Sequence, residues 1–207
     1  MALEQRSKIY EDAAKMHSMV KDRCLAKNYA QSLKALELMV RYHDGQYRRG
    51  EEHLPYIVHP LAIALHAFSL GIDSDSIIAA ALLHDVVEDC NVETVELPVS
   101  DRVRTLVELL TFRVYPGMTK EESRGVYFKN LRADREAAIL KLLDRCNNVS
   151  GMYSGFTPEK RKAYILETEN YVFPLLQYVK EHFPEYEDAS FAVEYQMGCV
   201  LDTYGLL

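Results

Sequence analysis

The feature that most constrains the fold is the stretch IIAAALLHDVVED at residues 77–89. It begins as an apolar helical stripe and ends as a row of histidine and carboxylate side chains. Two sets of its residues share the i, i+4, i+7, i+11 spacing of a single helical face: Ile77, Ala81, His84 and Glu88, and Ile78, Leu82, Asp85 and Asp89. The spacing predicts a largely buried helix whose core-facing side carries ionisable groups at its C-terminal end.

These ionisable groups indicate a bound cation. A buried carboxylate is costly unless it is paired or bound to a metal, and the helix dipole disfavours negative charge at a helix C-terminus. The alternative is an exposed acidic helix end, but such an end normally leaves the register of the core-facing stripe. The pattern therefore favours a divalent metal held by His84 and the neighbouring carboxylates.

The remainder of the chain also carries helical signals. Ser100 precedes an apolar repeat with helical spacing, and Thr119 is followed three residues later by a glutamate, as in a capping box. Thr157 stands before a proline, which is typical of a helix start, and Gly71 is typical of a helix end. No segment alternates apolar and polar residues as a strand does. We therefore predict an all-α bundle, with loops at residues 44–56, 89–99 and 112–117.

Composition limits the functional class. A length of 207 residues suits one domain, so we expect a single domain over residues 1–207. The net charge of −7 disfavours a nucleic acid polymer as partner. The sequence has no signal-peptide pattern and no apolar run of about 18 residues, and its four cysteines lack metal-finger spacing. We expect a soluble, cytoplasmic protein without a membrane partner.

Two further segments contain candidate ligands. His59 is followed by a proline, and on its spacing alone such a histidine is more typical of a helix cap or a core than of a metal site. Between residues 139 and 148 a polar stripe lies beside an apolar one, and on its own the polar stripe is more typical of a solvated face. That stripe consists of Lys141, Asp144, Arg145 and Asn148. If these segments meet, His59, His84, Asp85 and Asp144 would form a set of two histidines and two aspartates, which suits a divalent ion such as Mn, Fe or Zn.

Taken together, these segments resemble the metal-binding hydrolase domain of the Rel/SpoT family and its single-domain small alarmone hydrolases, which are HD-domain helical bundles. Four motifs occur in the family's order over about residues 40–176: HDGQYRR at 43–49, PYIVHPL at 55–61, AALLHDVVED at 80–89 and KLLDRCNN at 141–148. Residues 167–168 and 173–175 are similar to the helix that follows in the family.

The resemblance implies a complete site. It assigns one divalent metal, usually manganese, to the ligands His59, His84, Asp85 and Asp144. It assigns to Glu88 and Asp89 the orientation and deprotonation of the attacking water or the shuttling of its proton. It assigns substrate binding to Arg48, Arg49, Lys141, Arg145 and Asn148.

The resemblance also implies an activity, the removal of the 3′-pyrophosphate of (p)ppGpp to leave GDP or GTP. Because no synthetase or regulatory domain follows Leu207, we expect the chain to degrade this alarmone and not to make it. One alternative is an HD-type phosphohydrolase of another nucleotide, such as a deoxynucleotide or NADPH losing its 2′-phosphate. Another is a catalytically silent nucleotide-binding module, against which the full set of ligands and catalytic carboxylates weighs.

Three features depart from the family pattern. Asn147 stands where many bacterial members have histidine, and Cys146 stands where they have leucine. Residues 112–129 lack the family's usual sequence in a region that helps to wall the substrate pocket. These departures include the wall of the substrate pocket and none of the four metal ligands, so the motifs define the metal site better than they define the substrate.

Overall fold

The prediction of an all-α protein is confirmed. The computed structural model describes residues 12–48 and 54–205, so the predicted substrate-binding residue Arg49 lies outside the described residues. Within these ranges the chain forms helices and no strand, apart from a β-bridge between Tyr47 and Pro55. Across the same ranges, no helix combines the length and the apolar character needed to cross a bilayer.

The α-helices of the described residues are numbered in chain order: α1 Ala13–Lys27, α2 Ala30–Tyr42, α3 Val58–Ser69, α4 Asp75–Leu83, α5 Val86–Asp89, α6 Asp101–Leu110, α7 Lys120–Leu131, α8 Arg135–Gly155, α9 Pro158–Glu167, α10 Phe173–His182 and α11 Glu187–Gly205. Short 3₁₀ turns occupy Thr94–Glu96 and Pro184–Tyr186, and a π-helical turn at Thr168–Val172 joins α9 to α10.

Two helices form the centre of the bundle. Every residue of α4 from Ile77 to Leu83 is buried, and α4 packs against α2, α3, α6 and α8. Helix α8 packs in turn against α3, α6, α7, α10 and α11. A helix that is apolar on all sides is stable only when other helices surround it. The polar end of α4 and the polar face of α8 are therefore brought together inside the bundle.

The helix boundaries agree with the capping signals in the sequence. The hydroxyls of Ser100, Thr119 and Thr157 each accept a hydrogen bond from the backbone N–H three residues further on. Glu122 completes the predicted capping box by accepting from the Thr119 N–H at 2.7 Å. After α3, Gly71 adopts a φ of +71°, a conformation that favours glycine.

The sequence predicts that one helix continues through the ionisable residues at 84–89, and this expectation is wrong. Helix α4 ends at Leu83, His84 and Asp85 form a turn, and a separate four-residue helix, α5, follows. At this break the His84 Nδ1 lies 2.9 Å from the carbonyl oxygen of Ala81. That carbonyl is the acceptor that an uninterrupted helix offers to the Asp85 N–H. The turn places the His84 and Asp85 side chains side by side.

The buried face of α6 provides a test of the packing. Leu106 is fully buried, so replacing it with alanine leaves a cavity between α6 and its neighbours. We expect Leu106→Ala to lower the free energy of unfolding by about 2–5 kcal/mol in urea denaturation. The control is Val95→Ala, because Val95 is 80 % exposed. Equal stabilities of the two variants would contradict this packing.

Candidate metal centre and its pocket

Three buried side chains from separate parts of the chain meet at one point. His59 lies at the start of α3, His84 directly after α4, and Asp144 in the middle of α8. One potential ligand atom from each lies within 4.8 Å of the others. The three residues are only 2 %, 5 % and 7 % exposed, respectively. Their convergence is a product of helix packing, since 60 residues separate Asp144 from His84 in the sequence.

Asp85 borders the same cluster. Its Oδ2 lies 3.0 Å from His84 Nε2 and 3.4 Å from His59 Nε2. On the other side, Asp144 Oδ1 lies 3.2 Å from His59 Nε2 and 3.8 Å from His84 Nε2. The four predicted ligands thus present two imidazole nitrogens and two carboxylate oxygens to one small volume.

This donor set fits a divalent cation. Although burial opposes charge on Asp144, Lys141 and the two histidines hold the pKa of this carboxyl well below its usual range, so it is ionised. His84 Nε2 is buried and makes no aligned hydrogen bond among the described residues. Imidazole and carboxylate ligands together suit borderline or hard divalent ions. The residues present therefore match the metal that the sequence implied.

Both histidines turn the same nitrogen toward the carboxylates. His84 Nδ1 lies 2.9 Å from the Ala81 carbonyl oxygen, and His59 Nδ1 lies 2.6 Å from Asn147 Oδ1. With Nδ1 bound to an oxygen acceptor, each Nε2 is free to face the cluster. Asn147 was noted in the sequence only as a departure from the family pattern.

The two aspartates accept hydrogen bonds from neighbouring side chains, Asp85 from the turn before α3 and Asp144 from its own helix, α8. The Tyr56 hydroxyl donates to Asp85 Oδ2. Lys141 Nζ donates to Asp144 Oδ2 at 2.9 Å, and Asn148 Nδ2 donates to Asp144 Oδ1 at 2.7 Å. Sequence reasoning missed Tyr56, although its position three residues before His59 is the signal that places it near the site.

Glu88 and Asp89 line the pocket beside this cluster. Glu88 Oε1 accepts a hydrogen bond from the Phe112 N–H at 2.5 Å, which fixes the carboxylate against the loop that follows α6. Desolvation by its surroundings raises the pKa of Glu88, and the Phe112 N–H and Lys141 only partly oppose that rise. A raised pKa makes this carboxylate a stronger base and so favours its uptake of a proton.

The predicted substrate-binding residues have different environments. Arg48 donates to Asn148 Oδ1 at 3.1 Å and lies over the Tyr56 ring. Arg145 is buried, with its guanidinium 3.8 Å from the centre of the Tyr164 ring and paired with Glu167. The solvated-face alternative for the polar stripe of α8 is wrong, because Arg145 and its neighbour Asp144 are both buried.

A single pocket of about 1160 Å³ joins these groups within the described residues. It is lined by the described members of the predicted site except His84, which is buried. The divergent segment 112–129 contributes part of the wall through Phe112, Lys120, Arg124, Tyr127 and Phe128. Helix α11 contributes Gln196, which donates to Ser150 Oγ at 2.9 Å.

Comparison with known proteins gives consistent matches. The sequence profile of the HD domain matches residues 35–175. A guanosine-3′,5′-bis(diphosphate) 3′-pyrophosphohydrolase from Aquifex aeolicus is 38 % identical over 147 residues, which are 69 % of this chain and 20 % of that protein. The Xenopus tropicalis enzyme of that name, MESH1, is 32 % identical over 139 residues, covering 65 % of this chain and 76 % of that protein.

The fold likewise has a solved counterpart. A structure described as a metazoan ortholog of SpoT that hydrolyzes ppGpp superposes with a TM-score of 0.67 at 22 % identity. The superposition covers 86 % of this chain and 97 % of that one. By contrast, the chain spans only about a fifth of the length of the large relatives from Aquifex aeolicus and Mycobacterium leprae.

The contacts of Asp85 predict how a substitution affects metal binding. We expect Asp85→Asn to weaken the binding of Mn²⁺ by at least about 100-fold, since loss of a mere supporting partner already costs 10- to 100-fold. Isothermal titration of the metal-free protein measures the change. Asp101→Asn is the matched control, because the Asp101 side chain is 94 % exposed. If both variants bind the ion as the wild type does, Asp85 is not a ligand.

Proposed function

Because the chain belongs to the HD-domain family, we propose that it is a metal-dependent phosphohydrolase that removes the 3′-pyrophosphate of guanosine 3′,5′-bis(diphosphate) and of its pentaphosphate form. The observation that carries this proposal is the cluster of His59, His84 and Asp144, bordered by Asp85, beside a pocket that basic side chains also line. The names of the related enzymes support the choice of substrate.

The proposed centre holds one ion, which we take to be manganese, between His59, His84, Asp85 and Asp144. Mixed nitrogen and oxygen ligands support that choice. When bound, the ion would act as a Lewis acid that polarises the phosphoryl group and makes water more acidic. The burial of the ligands keeps competing solvent away from these charges, which strengthens their interactions.

In the proposed reaction, a water oxygen adds to the phosphorus attached to the 3′-oxygen, and the bond between that oxygen and phosphorus breaks. Glu88 takes the proton of the attacking water, and Asp89 orients the water from the same edge of the pocket. The proton then passes to the departing 3′-oxygen, so that GDP or GTP and pyrophosphate are the products. The raised pKa of Glu88 supports this role.

Substrate binding is assigned to the basic side chains of the pocket. We propose that Arg48 and Lys141 contact the phosphates with Asn148 beside them, and the sequence motif alone assigns Arg49 to the substrate as well. Arginine offers two parallel donors to a phosphate, which lysine does not. Arg145 also faces the pocket, but its ion pair with Glu167 makes it a positioning residue that fixes the wall.

We further propose that the chain acts as a single domain in the cytoplasm. Helices α1 and α11 lie outside the matched family region, yet α1 packs against α3 and α11 packs against α8. The four cysteines are free thiols, two of them, Cys24 and Cys146, buried in the core. Free thiols are typical of a reducing compartment.

A product assay tests the proposal against its rivals. Purified chain loaded with Mn²⁺ is incubated with ppGpp, pppGpp, deoxynucleoside triphosphates and NADPH, and phosphate and pyrophosphate are measured separately. We expect pyrophosphate and GDP in equal amounts from ppGpp. Release of phosphate from NADPH alone would identify the other enzyme class, and binding of ppGpp without turnover would identify a silent binding module.

Glu88→Gln separates proton transfer from metal binding. The substitution keeps the shape of the side chain but removes its basic form, so turnover should fall by about two to four orders of magnitude. We expect the metal content, measured by elemental analysis, to stay near that of the wild type. Glu37→Gln is the control, since Glu37 is exposed on α2. A parallel loss of metal would make Glu88 a ligand.

Arg48→Ala tests phosphate recognition. Because Arg48 faces the pocket and is held by Asn148, we expect kcat/KM for ppGpp to fall at least about tenfold, or 1.4 kcal/mol, with the metal content unchanged. The fall in kcat/KM for p-nitrophenyl phosphate, which lacks the nucleobase and the second phosphate, should be much smaller. Arg135→Ala is the matched control, because the Arg135 side chain is 61 % exposed. Equal losses on both substrates would contradict a specific contact.

A further inference from the structure

Asn147 lies directly beside the metal centre, on the helix that supplies one of its ligands. It follows Asp144 by three residues on α8, so the two side chains lie on neighbouring parts of one helical face. Its Oδ1 is 2.6 Å from Nδ1 of His59, which belongs to α3 and precedes it by 88 residues. The contact therefore joins two helices at the ligand cluster.

The contacts of the His59 ring indicate which of its nitrogens carries the proton when the proposed ion is bound. A neutral imidazole carries one proton, on either Nδ1 or Nε2. His59 Nε2 lies 3.2 Å from Asp144 Oδ1 and 3.4 Å from Asp85 Oδ2, so this nitrogen faces the proposed ion. A nitrogen that binds a metal must offer its lone pair, which leaves the proton on Nδ1. Asn147 Oδ1 is the acceptor for that proton.

The second histidine ligand does not depend on a side chain in this way. His84 Nδ1 contacts a backbone carbonyl, that of Ala81, which is present whatever residue occupies position 81. His59 has a side-chain acceptor, so a single substitution at position 147 can remove it. An amide oxygen can only accept a hydrogen bond, whereas a histidine nitrogen at the same position accepts in only one of its tautomers.

From these contacts we infer that Asn147 is a positioning residue that holds His59 in its metal-binding tautomer and orientation. The inference rests on the metal site of the proposed function. Helix α8 then provides a ligand through Asp144, a support for that ligand through Asn148, and the orientation of a second ligand through Asn147. A shift of α8 relative to α3 therefore moves Asp144 and the acceptor of His59 together.

The test compares Asn147→Leu, which removes the acceptor at similar volume, with Asn147→Asp, which retains an oxygen acceptor. Isothermal titration with Mn²⁺ measures affinity, and ¹⁵N chemical shifts of the metal-free protein identify the His59 tautomer. We expect Asn147→Leu to weaken binding by about 10- to 100-fold and to yield a mixture of tautomers. Asn147→Asp should bind Mn²⁺ as tightly as the wild type does. Asn130→Leu is the matched control, since Asn130 is exposed at the end of α7.

Three results would overturn the inference. One is Asn147→Leu binding Mn²⁺ like the wild type, and another is Asn147→Asp binding as weakly as Asn147→Leu, which would indicate packing instead of hydrogen bonding. The third result, which does not depend on any variant, is the observation of His59 as the Nε2–H tautomer in the metal-free wild-type protein. None of these measurements uses a nucleotide, so a protein that shows the expected affinities but hydrolyses nothing would refute the proposed function and support this inference.

Discussion

The structure depends on the electrostatic balance of one buried cluster. Asp85 and Asp144 share with two imidazoles the small volume where α3, α8 and the end of α4 meet. Removing two carboxylates from water is costly, and breaking such a buried arrangement by deleting one partner leaves an uncompensated charge. Lys141, Asn148 and Tyr56 donate hydrogen bonds to the two aspartates. A divalent ion bound between the ligands would supply the positive charge that these donors do not.

The same hydrogen bonds connect the cluster to the substrate pocket. Arg48 donates to Asn148, which donates to Asp144, so the proposed phosphate-binding side chain and the proposed metal ligand are joined by two hydrogen bonds. Lys141 both pairs with Asp144 and faces the pocket, and that carboxylate raises the pKa of Lys141 well above its usual value despite burial. The proposed metal ligands and the proposed phosphate-binding residues therefore belong to one hydrogen-bond network, in which one stripe of α8 contributes to both.

Much of this arrangement follows from local sequence. The caps at Ser100 and Thr119 were predicted because a side chain and a backbone N–H three residues away decide them. By contrast, the contact of Asn147 with His59 joins residues 88 positions apart. Such pairs depend on how the ridges of two helices pack, which the periodicity of a single helix does not define. The break after Leu83 was missed for a different reason, since neither glycine nor proline marks it in the sequence.

Metal dependence is the most direct test of the central claim, that residues from three segments form one divalent-metal centre at which the 3′-pyrophosphate is removed. The chain is dialysed against a chelator and titrated with Mn²⁺, while pyrophosphate release from ppGpp is followed at each addition. The account predicts no turnover in the metal-free protein and a rate that saturates at one ion per chain. Turnover that is unaffected by removing the metal would contradict it.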